Sequence, residues 1–337
     1  MKRLRLIYEQ LDEAKTYLLR GSLLNLRLAL ILADNAAELL MFNVLENKFS
    51  RDEWLRPLRK NYEKLGLPLD PVLQLRYSDE ERARAEKEFE PMVRLLQHRL
   101  TELSPADATI LRIAHRLRRD AFHRGQLRED ILGPIVRLLF TTVVRLTESL
   151  RFASIVQVLP LEDDDKAFLR RFEIRDDYFD YSEETKNKFV AKLVEGVTFD
   201  LESCRTALKD DLVGRLEALV NQLAAFYEDD GQKNEELLRY QFWQENMAQD
   251  KRIDHPSAFD AAFAVWQKSA IPLATVEWLR QFQRAVPRKL NSRQASQVLA
   301  SYWGMDMELA PKEDFIEKHV SDLDDAIQSQ IDIARGK

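Results

Sequence analysis

The sequence predicts an all-α protein: a helical bundle in the N-terminal half and a second all-α domain in the C-terminal half. Three observations carry this. Glycine is scarce, with 9 residues in 337 against an ordinary usage of about 7%. Apolar residues recur at spacings of three and four through most of the chain. Prolines, serines and acidic residues gather where such stretches begin, as helix starts require. The glycine shortage also argues against a Rossmann fold, a phosphate-binding P-loop and most sheet-rich architectures.

The elements follow in order. Leu4, Ile7, Leu11, Ala14 and Leu18 give a first helix its apolar stripe, interrupted at Gly21. A second helix, from about Ser22 to Lys48, is apolar on more than one face and belongs at the centre of the bundle. Arg27, Asp34, Asn35 and Glu38 interrupt its apolar run, so it reads as a buried helix and not a membrane span. A shorter helix is expected over 51–65, then a proline-bearing loop. Ser78 followed by acids starts a helix that runs to about Leu103, with Pro91 as its expected bend. Ser104-Pro105-Ala106-Asp107 starts the next, whose apolar face holds Ile110, Ile113, Ala114, Leu117 and Ala121, with Gly125 as its stop. A long apolar helix is expected from about Asp130 to Val158. The first half is therefore a bundle of five or six helices.

Pro160 and the acidic run after it mark the domain boundary. The expected division is 1–159 as the bundle, 160–184 as an acidic connector and 185–337 as an all-α domain of unassigned role. The connector carries ten acids against four bases and reads as a short helix with a solvated acidic face. In the last segment, Leu201, Cys204, Leu208, Leu212, Leu216, Leu219, Leu223 and Tyr227 line one long helix. Further helices are expected near 234–249, 256–269, 272–285, 292–303 and 311–334. Trp243, Trp266, Trp278 and Trp303 are read as core aromatics.

Composition narrows the function. The formal net charge is −6, but residues 1–160 carry +5 and residues 161–337 carry −11. The basic excess is densest over 111–151, with nine arginines against four acids. A sign change of this kind is a domain-level signal, and it keeps an anionic partner such as RNA open for the first half. The single cysteine, Cys204, excludes a disulfide framework and a thiolate zinc cluster. None of the five histidines lies in an HExxH or comparable metal-ligand spacing, so neither a metal nor a cofactor is expected. The charged first residues, MKRLRLIYEQ, do not resemble a secretory leader. A soluble cytoplasmic protein is expected.

One segment offers chemistry: Leu117-Arg118-Arg119-Asp120-Ala121-Phe122-His123-Arg124-Gly125. It sets Arg118 five residues before His123 at a helix end, in the most basic stretch. A histidine titrates in the range that acid–base catalysis at neutral pH needs. A fixed guanidinium can stabilise the charge of a phosphorane-like transition state. On a continuous helix, residues five apart stand about 140° apart around the axis. Arg119 and His123, four apart, share a face better. So either the helix loosens before His123, or a second chain completes the site, or Arg119 replaces or assists Arg118. Asp34 and Glu38 on the second helix are candidate partners for the arginine.

This segment resembles the HEPN superfamily, whose hallmark is R-x4–6-H in an all-α bundle, commonly with a polar residue after the arginine. The match is Arg118-x4-His123, together with the preceding helix LRLALILADNAAELLMFNVLENK, and it spans roughly residues 1–158. Arg119 stands where the family more often has Asn, Asp or His. The resemblance implies a metal-independent endoribonuclease that leaves 2′,3′-cyclic phosphate ends, of the kind found among toxins and antiviral effectors, and a homodimer through the N-terminal domain. On it, Arg118 is the phosphate clamp and His123 the general acid/base. Arg119, Asp120, Glu38 and Asp34 support them, and Arg112, Arg116, Arg124 and Arg128 contact RNA phosphates. The acidic C-terminal domain would dock a protein partner. Other family members are noncatalytic, so the alternative is a helical scaffold, adaptor or antitoxin-like protein that binds a nucleotide or a partner.

Overall fold

The computed structural model describes residues 2–69, 74, 76–123, 129–149, 156–157, 161–175, 179–248, 256–269 and 275–335, with the side chains at 2, 120–123, 156–157, 179–180, 248 and 268–269 outside the description. Among the described residues it is all-α apart from one two-residue antiparallel strand pair. The chain divides into two compact units, Met1–Cys204 and Arg205–Lys337.

The first unit is built on two helices, α1 (Lys2–Arg20) and α2 (Leu23–Lys64), folded back on each other at Gly21, whose φ of +71° is the left-handed region glycine tolerates. The α1 stripe of Leu4, Ile7, Leu11, Ala14 and Leu18 is buried as a whole. Ser22 caps α2 by accepting from the backbone N–H of Asn25. This helix runs 42 residues without a break, where two helices were expected from the sequence. Ser50 alone does not break a helix, and Pro57 is tolerated in its interior. By composition α2 is apolar enough to cross a membrane. In this fold Ala29, Leu30, Ala33, Ala36, Ala37, Leu40 and Met41 are buried in the core of the unit instead.

Four further helices follow this pair. The short α3 (Asp79–Lys87) opens with a complete capping box between Ser78 and Glu81. The chain then breaks at Glu88, not at Pro91, and restarts as α4 (Phe89–Arg94). That places Pro91 in a first turn, where its missing N–H costs nothing. After a π-turn over Leu95–Arg99, Ser104 caps α5 (Pro105–His123): its Oγ accepts from the Asp107 N–H at 3.1 Å. Among the described residues α6 (Glu129–Ser149) stops short of the expected Val158. Val156–Gln157 instead forms β1, paired antiparallel with β2 (Phe179–Asp180).

The acidic stretch 160–184 belongs to the first unit. Its helix α7 (Asp163–Arg171) buries Phe168 and Leu169, and Leu161, Phe172 and Ile174 join the same core. Asp163 and Asp164 are exposed, but Asp165 is buried and accepts from Arg5 at 2.9 Å. Helix α8 (Glu183–Val194) closes the unit with Phe189, which stacks on Tyr8 at 4.0 Å between ring centres. Tyr8 and Tyr181 share a buried hydroxyl–hydroxyl hydrogen bond of 2.8 Å, and burial pushes the Tyr8 hydroxyl up to about 12. The expected boundary thus falls inside a core, because aromatic anchors alternate with the acids.

The second unit starts within α9 (Leu201–Phe226), whose expected stripe from Cys204 to Leu223 is buried. It continues through α10 (Asp230–Ala248), α11 (Pro256–Ser269), α12 (Val276–Lys289) and α13 (Ala295–Ala334). The last two expected helices are one helix of 40 residues, which passes through Gly304 and Pro311. Trp266 packs on Phe242 and Phe263, and Trp278 on Phe282. Trp243 is largely exposed and does not serve as a core residue.

Candidate functional site

Helix α5 lies against α2, and the side chains between them form one charged cluster. Arg118 directs Nη1 at α2. It donates to Asp34 Oδ2 at 2.7 Å, to Asn35 Oδ1 at 2.8 Å and to Glu38 Oε1 at 3.1 Å. His115, one turn earlier on the same face, places Nδ1 at 3.0 Å from Asp34 Oδ2 and 3.2 Å from Glu38 Oε1. Its ring lies parallel to Phe89 of α4 at 3.8 Å. The local cause is visible in both helices. Asp34 and Glu38 are i and i+4 on α2, and His115 and Arg118 are i and i+3 on α5, so each pair presents one face.

The electrostatics follow from that geometry. Burial works against a charge on His115, but its hydrogen bonds to Asp34 and Glu38 prevail and lift it to about 9. Burial would raise Glu38, yet His115 and Arg118 together hold it below the usual carboxylate range. At neutral pH His115 is therefore a second cation beside Arg118, and Glu38 faces both as a carboxylate. Asp34 is fully buried, and its Oδ1 has no hydrogen-bond partner while Oδ2 serves both cations.

Asp34, Glu38 and His115 also bring three metal-ligating atoms within 4.8 Å of one another. A divalent ion would have to displace Arg118 from the same oxygens and remove the proton from His115. The arginine is the cation this set of donors already holds.

The sequence-derived residues distribute as follows. Arg118, Asp34 and Glu38 meet. Arg119 and Arg116 are exposed on α5. Arg112 turns away to Glu90, at 2.9 Å and 3.1 Å, and to Gln97 at 2.9 Å. The side chains of Asp120 and His123, and the whole of Arg124 and Arg128, lie outside the described residues. The backbone of α5 is helical through His123. Arg118 and His123 thus occupy helix positions about 140° apart, with no loosening between them. Sequence reasoning missed His115 and Asn35. The signal was there: a histidine one turn before the arginine on α5, and an amide beside an acid in an otherwise apolar helix. Neither family models, curated proteins nor solved structures match the chain.

Proposed function

We propose that the first unit is a HEPN-like, metal-independent endoribonuclease module, with Arg118 as the phosphate-directed cation and His123 as the proton-transfer group. The observation that supports this most is the fixing of Arg118 by three acceptors from α2. A guanidinium held in place loses little freedom when charge develops beside it. In the reaction the 2′-oxygen of RNA attacks its own phosphorus and the bond to the 5′-oxygen breaks. The products are a 2′,3′-cyclic phosphate and a 5′-hydroxyl. His123 takes the 2′-hydroxyl proton or supplies one to the departing 5′-oxygen. Because the two motif positions diverge on one continuous helix, the pair is completed across two copies of the unit or by Arg119, one position further on.

The same contacts favour a second function. A guanidinium facing two carboxylates is already neutralised, as a structural clamp would be. In that case the unit is a noncatalytic module that binds a nucleotide or a protein partner, and the acidic second unit is a docking element.

One experiment separates the two. The protein is incubated with total RNA and excess chelator, beside His123→Ala, Arg118→Ala and Arg119→Ala. The nuclease predicts cleavage that survives the chelator, ends in cyclic phosphate, and is lost in His123→Ala with the fold intact. Absence of cleavage at every protein concentration leaves the scaffold function.

A further inference from the structure

The last turns of α13 leave their own unit. Ile316 and His319 are its last buried residues, and every side chain from 324 to 335 except Asp332 is exposed. This overhang of 12 residues from 324 to 335, beyond Asp322, which accepts from the Tyr240 hydroxyl, is about 18 Å long. An isolated helix of this length is marginal in water unless a packed face supports it. The overhang carries such a face, and among the described residues nothing buries it. Ile316, Val320, Leu323, Ile327, Ile331 and Ala334 follow spacings of four, three, four, four and three, and so form one stripe along the helix. Ile327 remains 47% exposed and Ile331 37%.

The charges beside the stripe select the occupant. At 100° per residue, Asp324 and Arg335 stand about 60° and 80° from Ile327, on the same flank. Two copies of the helix laid antiparallel, with a two-fold axis at the level of Ser329, set Ile327 of each against the second copy's Ile331. The same register sets Asp324 next to the second copy's Arg335, and symmetry makes that pair twice. In an antiparallel pair, same-flank residues face each other, so the acid and base are self-complementary. A parallel pair would instead put the two Asp324 side chains on opposite sides of the contact, with neither meeting an Arg335.

We propose that the overhanging end of α13 is a homodimerisation element, an antiparallel two-helix contact between two copies of this chain. Such an interface is isologous and closes on itself. Just over three turns of helix bury less than the roughly 1,200–2,000 Å² of stable interfaces, so the dimer is weak and concentration-dependent.

Sedimentation equilibrium of the full chain tests it. The weight-average mass should climb from 39.5 kDa toward twice that value as concentration rises. Ile327→Glu with Ile331→Glu should hold the protein at the monomer mass, with circular dichroism and melting unchanged because both positions are solvent-facing. Asp324→Arg alone, or Arg335→Asp alone, should weaken association about 3–10-fold, since two exposed pairs turn repulsive. The double reversal should restore it. A chain that stays monomeric at every concentration overturns the proposal. So does a dimer that ignores the isoleucine substitutions, or charge reversals that fail to rescue each other.

Discussion

Arg118 Nη1 and Asp34 Oδ2 lie 2.7 Å apart across 84 residues of sequence, and this hydrogen bond ties α5 to the central helix of the first unit. Asp34 is fully buried, so its carboxylate depends on Arg118 and His115 for compensation. Asp34→Ala should cost about 2–3 kcal/mol, the range for a hydrogen bond to a charged group whose loss strands its partner. Arg118→Ala should cost a similar amount by stranding Asp34. The double variant should lose clearly less than the sum, with a coupling energy of about 1 kcal/mol or more. Urea denaturation of the four proteins measures this, and a coupling near zero would mean that the two residues act separately.

The same cluster makes stability depend on pH in a defined window. His115 is raised to about 9, so its contribution is complete below its unfolded value near 6.5 and is lost as pH rises through 9. Glu38 is lowered, so its contribution is complete above its unfolded value near 4.3 and is lost as pH falls below that. The cluster should stabilise the unit most between about pH 5 and 6.5. His115→Gln should remove the alkaline part of the dependence and shrink the acid part, which Arg118 alone would then sustain. An NMR titration of the His115 ring checks the premise directly; a midpoint near 6.5 would remove the basis for the alkaline limb.

Part of this was readable in the sequence, and the divisions have physical reasons. Two acids one turn apart in an apolar helix mark a buried charged face, which is why Asp34 and Glu38 stand out before any fold is known. Helix starts at Ser78 and Ser104 were legible because their capping bonds are local. Helix ends were not. The continuity of α2 past Ser50 and of α13 past Pro311 is supported by partners distant in sequence. Arg82 of α3 is one such partner for the first, bonded to Asp52 and Glu53. Arg215, bonded to residues on both sides of Pro311, serves the second. The unit boundary was hidden for another reason. The acids of 160–184 dominate its composition, while Phe168 and Phe172, which fix it to the core, are few.

Asp52 should be among the most sensitive positions in the first unit. It is buried between Arg59 and Arg82, both of them buried too. Arg82 also reaches Glu53 at 2.7 Å and covers the Phe49 ring at 5.3 Å, so it joins α3 to α2. The two guanidinium groups hold the Asp52 carboxyl below its ordinary range even though burial acts the other way. Asp52→Ala leaves two buried cations facing each other and should cost about 3–5 kcal/mol. Glu53→Ala, on the exposed edge of the same network, should cost less than 1 kcal/mol. Thermal melts of the two variants compare them, and equal losses would deny the network its buried centre.

Arg215 gives the second unit the opposite imbalance, one cation among three carboxylates. It donates to Glu313 at 2.6 Å and to Asp306 at 2.8 Å, and Asp211 lies at 3.2 Å. Tyr302 adds a hydrogen bond to Asp211 at 2.7 Å. Burial opposes the charge, but the carboxylates keep Arg215 protonated well above its ordinary range. Removing one acid therefore relieves repulsion as it removes attraction, and Glu313→Gln should change stability little. Arg215→Met removes the cation that the three carboxylates share and should cost about 3–5 kcal/mol at pH 7. The three carboxylates left behind repel one another, which favours proton uptake by the folded variant. The native state then binds more protons than the unfolded state, and the variant gains stability as pH falls. The gap between Arg215→Met and the unaltered protein should therefore narrow between pH 7 and pH 5. Denaturation midpoints at both pH values test this, and a gap that stays constant or widens would show that the variant loses packing and not charge balance.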